Sequence, residues 1–165
     1  DEKTGEITAQ VLTDNKTDDA AMLNQLLADT FDQGVNIGKL GADGAYDHYD
    51  CWDTLQEAKI EPIIPPRENA MFQLGKDGLP TEHPRNRALE IIDEGGQEAN
   101  REGWKIQSGY HRRSKSENAF FRWKTILGEK MYAREFGNQK TEAAVKTAVL
   151  NKFIQIAAPK SVKVA

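Results

Sequence analysis

Two groups of residues in this chain could do chemistry. The sharper one is Tyr110, Arg113, Glu117 and Lys124, with two, three and six residues between successive members. On a helix turning about 100° per residue, Arg113, Glu117 and Lys124 fall within roughly 40° of one another, and Tyr110 lies just ahead. A carboxylate between two cations is an ordinary i,i+4 ion pair, worth about a few tenths of a kcal/mol. Alternatively, Glu117 ligates a metal while Arg113, Lys124 and Tyr110 hold nearby phosphates. The second group is Asp43-Gly44-Ala45-Tyr46-Asp47. An acid at the carboxyl end of a buried strand is where open α/β sheets place their sites, and Gly44 lets the backbone turn sharply behind it. The competing reading is a plain turn in which Asp47 caps the next helix.

The elements needed to position these groups are written in the hydrophobic periodicity. Residues 6–13 (EITAQVLT) alternate, which predicts a half-buried strand. Thr17-Asp18-Asp19 caps a helix running to about Thr30, with Ala20, Ala21, Leu23, Leu26 and Leu27 at helical spacing. A second strand is predicted over 35–42, a helix over 49–58 with Trp52 and Leu55 inward, and a third strand over 60–64 stopped by Pro65-Pro66. Residues 67–85 read as loop, and 84–94 as a helix ended by Gly95-Gly96. Residues 114–127 read as an amphipathic helix with Ala119, Phe120, Trp123, Ile126 and Leu127 on its core face. A last helix is predicted over 141–156, with Ala144, Val145, Ala148, Val149 and Phe153 inward. This order of strands and helices is α/β, in a single domain over residues 1–165.

Composition agrees with a globular chain: of 165 residues, 38% are hydrophobic and 29% charged. No apolar run approaches the roughly 20 residues needed to cross a bilayer, so no membrane partner is expected. The single Cys51 forms no internal disulfide and fits a reducing cytoplasm; packing is the simplest role for it. The formal charge of -4 argues against a nucleic-acid binder, but its distribution does not. Residues 110–134 carry Arg112, Arg113, Lys115, Arg122, Lys124, Lys130 and Arg134 against Glu117 and Glu129. Such a local basic stretch suits a grip on phosphate, or else a solvated helix face. His48, His83 and His111 have no metal spacing, the tryptophans read as core, and Asp47, Asp50 and Asp53 read as caps or surface acids.

The spacing of Tyr110, Arg113, Glu117 and Lys124 resembles the Y-R-E-K signature of the insertion-sequence DDE transposases. So do the surrounding SGYHRRSKSENAFFRWKTILGEK (108–130), ADGAYD (42–47), IIPPRENA (63–70) and FGNQKTEAAVKTAVLNKF (136–153). The resemblance implies an RNase H-like, retroviral-integrase-like catalytic core. Two aspartates and a glutamate would hold two divalent ions, Mg2+ or Mn2+, with Asp43 as the second acid and Glu117 as the third. It further implies that water cuts at the transposon end and that the freed 3′-hydroxyl attacks target DNA. Tyr110, Arg113 and Lys124, helped by Arg112 and Lys115, would bind DNA phosphates. The partners it implies are transposon-end and target DNA, with a homo-oligomer in the active complex.

The first acid of that pattern belongs on a first strand, two strands and a helix ahead of the second acid. Between Asp1 and Asp43 only one strand and one helix are predicted, so Asp1 is the wrong aspartate. The core is therefore expected to be incomplete at its N-terminal strands, and the chain alone inactive. Two other readings stand beside the transposase: an RNase H-like nuclease or resolvase, and a non-catalytic remnant that at most binds DNA.

Overall fold

The structure is a computed structural model that describes residues 1–93 and 97–157, the side chains of 97–99 excepted. Along it run α1 (Leu23–Asp32), β1 (Lys39–Gly41), α2 (Tyr49–Glu57), β2 (Glu61–Ile63), α3 (Pro84–Asp93), α4 (Gln97–Ser108), α5 (Ser114–Leu127) and α6 (Phe136–Ile156). Single 3-10 turns lie at Asp19–Met22, Gly44–Tyr46 and Tyr110–Arg113. The result is a mixed helix and strand chain in which helix dominates. Among the described residues, no helix is long and apolar enough to cross a membrane. The Gly95-Gly96 stop predicted for α3 lies outside the described residues.

The chain forms two compact units. One holds Asp18–Asn24 and Asn36–Arg113; the other holds Asp1–Thr17, Gln25–Val35 and the described chain from Ser114 onward.

In the first unit, β1 and β2 pair in parallel, Lys39 opposite Glu61, Leu40 opposite Pro62 and Gly41 opposite Ile63. The Lys39 ammonium lies 2.7 Å from the Glu61 carboxylate on the exposed side of that register. Both strands are shorter than their hydrophobic runs predict. Each has one partner, and Pro62 has no amide to extend a ladder. Between them, α2 buries Cys51, Trp52 and Leu55 and ends in a left-handed residue, Lys59, at φ 57°. There the Ile60 amide donates to the Leu55 carbonyl at 2.8 Å and the Lys59 amide to the Gln56 carbonyl at 3.0 Å. This is the usual helix-stop motif, with lysine where glycine is common. α3 opens on Pro84, whose missing amide costs nothing in a first turn, and turns Ala88, Leu89 and Ile92 inward.

α4 was not expected. Gly103 lies within it, its composition is polar, and among its described side chains Trp104 is deeply buried, 5% exposed, while Ile106 is 70% exposed. A single aromatic anchor gives no periodicity to read.

In the second unit the strand predicted over 6–13 is absent. The segment has no regular secondary structure and is half-buried, and side chains take the place of a neighbouring strand. The Ile7 amide donates to Asn151 Oδ1 at 2.9 Å, and Asn151 Nδ2 donates to the Ile7 carbonyl at 2.8 Å. The Thr8 carbonyl accepts from Gln33 Nε2.

α6 starts five residues before the predicted Thr141 and faces differently. It buries Ala143, Thr147, Leu150 and Ile154, whereas Val145, Val149 and Phe153 are 57%, 38% and 48% exposed. α5 has the predicted ends, its stop marked by Gly128 at φ 78°. Its predicted core face is not buried: Phe120 is 69% and Ile126 51% exposed, and Trp123 is half-buried beneath the Lys146 ammonium, 5.1 Å from its ring.

Candidate active site

Asp43 sits two residues past β1, after the buried Ala42, whose amide still donates to the Ile63 carbonyl at 3.2 Å. Asp43 has extended backbone and caps the 3-10 turn that follows: its Oδ1 accepts from the Ala45 amide at 3.0 Å. Capping is therefore the work of Asp43, not of Asp47. Gly44 has no positive φ, and a Cβ added there would meet only the Pro65 carbonyl at 3.6 Å. The turn does not depend on glycine's conformational freedom. The other carboxylate oxygen of Asp43 lies 3.9 Å from Arg113 Nη1, with the two side chains 49% and 25% exposed.

Asp47 is the residue that sequence reasoning misplaced. Its side chain is fully buried and receives a bidentate grip from Arg85, Nε at 2.7 Å and Nη2 at 3.0 Å. It also accepts from Trp52 Nε1 at 3.0 Å and from the Arg67 amide at 2.9 Å. Burial alone pushes the Asp47 carboxyl up, but the hydrogen bonds from Arg85, the Arg67 amide and Trp52 outweigh it and hold the group below the ordinary carboxylate range. Arg85 in turn donates to the Tyr49 hydroxyl at 2.9 Å and the Met71 carbonyl at 2.8 Å, tying down the start of the 67–81 loop. Asn86, fully buried, holds that loop further along, pairing with the amide of Gln73 at 2.9 Å and its carbonyl at 2.8 Å. No spacing rule joins Asp47 to a residue in a different helix, so the pair left no signal in the sequence.

His83 is buried near this pair. Its Nδ1 accepts from the Arg85 amide at 3.2 Å, which leaves Nε2 to donate to Asp53 at 3.0 Å. Cys51 is buried beside the Ala20 carbonyl, and burial raises its thiol; it packs, as expected.

The arm of the signature that belongs to this unit is layered. The buried Trp104 ring contacts the Tyr110 ring at 5.8 Å between centroids, and the Arg113 guanidinium lies 5.6 Å from the Tyr110 ring centre. Arg113 closes the 3-10 turn instead of lying on α5, and Arg112 is exposed beside it.

In the other unit, Glu117 and Lys124 are exposed on α5. Lys124 Nζ lies 3.4 Å from Glu129. Lys115 lies 3.6 Å from the Glu2 carboxylate, and Arg122 donates to the Gly5 carbonyl at 3.2 Å. Part of the basic stretch thus fastens the turn at residues 1–6. The Asp1 carboxylate is also used within that turn, accepting from the Lys3 and Thr4 amides at 2.7 Å each.

A family model described as the transposase DDE domain matches residues 1–152. The chain belongs to that family. No solved structure matches it. Membership carries DNA transposition, with DNA as substrate and, in general, divalent metal ions.

Within this transposase domain, no group of three or more histidine, cysteine or acidic side chains among the described residues is arranged to hold a metal. The individual donors do suit a hard cation. Asp43 is half-exposed and has one oxygen bound to a single amide, while Glu117 is an exposed carboxylate. Oxygen donors of this kind, with room left for water and phosphate, match magnesium or manganese.

Proposed function

We propose that this transposase domain cuts DNA at transposon ends and joins the freed ends to target DNA, with Asp43 and Glu117 as metal-ligating carboxylates on an RNase H-like core of the Y-R-E-K group. The observation that carries the reading is the meeting of Asp43 with Arg113 at the carboxyl end of β1. It puts the acid of the ADGAYD motif beside the arginine of the basic signature. Tyr110 and Arg113, with Arg112, Lys115 and Lys124, hold the phosphates that flank the cut, arginine by forked hydrogen bonds and lysine as a point charge. Bound divalent ions supply charge stabilisation to the attacking and leaving oxygens. The active form is a homo-oligomer on paired ends, and target DNA enters as the second substrate.

The test uses full-length protein, a labelled transposon end and Mg2+ or Mn2+, with Asp43→Asn and Glu117→Gln as variants. Both variants lose nicking and strand transfer while still binding the DNA end. Wild-type nicking by either variant would remove that residue from the site. Nicking by the unaltered protein with no joined product would reduce the activity to that of a nuclease.

A further inference from the structure

Asp43 has a carboxylate of defined pose on a turn that is otherwise only one 3-10 turn long, and something must fix that turn. The backbone of Ala45 is the link. Its amide donates to Asp43 Oδ1 at 3.0 Å, and its carbonyl accepts from Arg67 Nη2 at 3.4 Å. Arg67 Nε also donates to the Gly44 carbonyl at 3.2 Å, and Nη2 meets His48 Nε2 at 3.0 Å. The guanidinium therefore bridges two successive carbonyls of the turn, adding a second donor at Gly44, which already accepts from the Asp47 amide at 3.2 Å, and supplying one to Ala45. Arg67 is itself held at its backbone: its amide is bound by Asp47 at 2.9 Å, and its carbonyl accepts from Arg101 Nη2 at 3.0 Å. Arg101 Nη1 takes the preceding carbonyl, that of Pro66, at 2.7 Å.

We propose that Arg67 is a positioning residue for Asp43, its guanidinium fixing the Gly44–Tyr46 turn whose Ala45 amide orients the Asp43 carboxylate. This rests on the reading of Asp43 as a metal ligand. The side chain of Arg67 is exposed yet aimed at backbone carbonyls, which is not how an arginine free to grip DNA is disposed. Replacing it removes no core packing and no metal donor. What it removes is the restraint on the angle at which Asp43 presents its other oxygen, the one beside Arg113. Residues that orient a metal's ligands affect affinity by about 10- to 100-fold when replaced.

The test titrates Mn2+ against nicking by the full-length transposase and its Arg67→Ala, Arg67→Lys and Asp43→Asn variants. Mn2+ binding is followed in parallel by electron paramagnetic resonance, and amide hydrogen exchange over residues 44–48 by mass spectrometry. Arg67→Ala should raise the half-saturating Mn2+ concentration about 10-fold or more, recover most of the maximal rate at saturation, and speed exchange at 44–48. Arg67→Lys, able to reach one carbonyl but not to span two, should fall between. If Arg67→Ala titrates like the unaltered protein, or loses the same fraction of rate at every Mn2+ concentration, the positioning role is overturned while an inactive Asp43→Asn leaves the site reading intact. An Asp43→Asn protein that nicks and binds Mn2+ normally would overturn both.

Discussion

The Arg113 guanidinium stands 3.9 Å from the Asp43 carboxylate, although α2, β2, α3 and α4 all intervene along the chain. That distance is beyond a hydrogen bond, and both groups are partly in water. An ion pair of this kind contributes less than about 1 kcal/mol to stability. So weak a pair suits a cation that, on the proposed reading, also meets a phosphate.

Arg113→Ala should therefore act on DNA. In the full-length transposase it should weaken binding to the transposon end and lower the slope of log affinity against log salt by about one. Lys124→Ala should do the same, since its partner Glu129 is exposed and easily given up to water. Salt slopes equal to wild type in both variants would leave these cations as surface ion pairs only.

The buried Asp47–Arg85 pair makes the opposite prediction. Truncating either partner strands the other charge in the core, so Asp47→Ala and Arg85→Met should each destabilise the chain by about 3–5 kcal/mol. The double variant should cost less than the sum, because neither charge is then left alone. Strict additivity in urea unfolding would show that the two residues do not act as a pair.

The same pair sets an acid limit. The folded-state value of Asp47 is depressed, so the unfolded chain takes up its proton first as pH falls. Its contribution is fully present above the ordinary aspartate value of 3.8 and is lost below it, as pH descends through the lowered folded value. Unfolding free energy should drop over that acid window, and the Asp47→Ala variant should lack this part of the drop. A variant whose acid profile parallels wild type throughout would assign the sensitivity to other carboxylates.

Lys59 offers a test of the fold near the site. Its left-handed backbone at the end of α2 crowds a Cβ that glycine would not have. Relief of that crowding exceeds glycine's extra unfolded-state freedom, so Lys59→Gly should stabilise by about 0.5–1 kcal/mol. A loss of stability would mean that the lysine side chain has a role of its own there.

The two motifs and the ends of α2 and α5 were legible in the sequence because they depend on local rules: caps, stops and spacing. Ser114 to Leu127 ran to the residue, with Gly128 as its stop. Burial was less legible because it depends on what lies opposite. α6 carries two apolar stripes, and the bulkier one through Val145, Val149 and Phe153 is exposed. The stripe with small Ala143 and Thr147 is buried instead, beside the half-buried Asn151 that holds the segment at Ile7. Asp47 failed for the same reason: an acid four residues from another acid reads as a surface turn until its arginine is seen.

Asn151 makes that last relationship testable. Its amide side chain offers Ile7 both an acceptor and a donor, as a neighbouring strand would, and so accounts for both backbone groups of that residue. Alternation over 6–13 predicted a strand because it reports burial on one side and says nothing about which group satisfies the edge. Asn151→Ala leaves a half-buried amide and carbonyl unpaired, which should cost about 1–3 kcal/mol. Exchange at the Ile7 amide should quicken in that variant. Asn151→Asp keeps the acceptor and loses the donor, so it should protect the Ile7 amide while still lowering stability, because its carboxylate faces the Ile7 carbonyl. Unchanged exchange at Ile7 in Asn151→Ala would mean that another group pairs with this segment in solution, and the side-chain mimic of a strand would have to be given up.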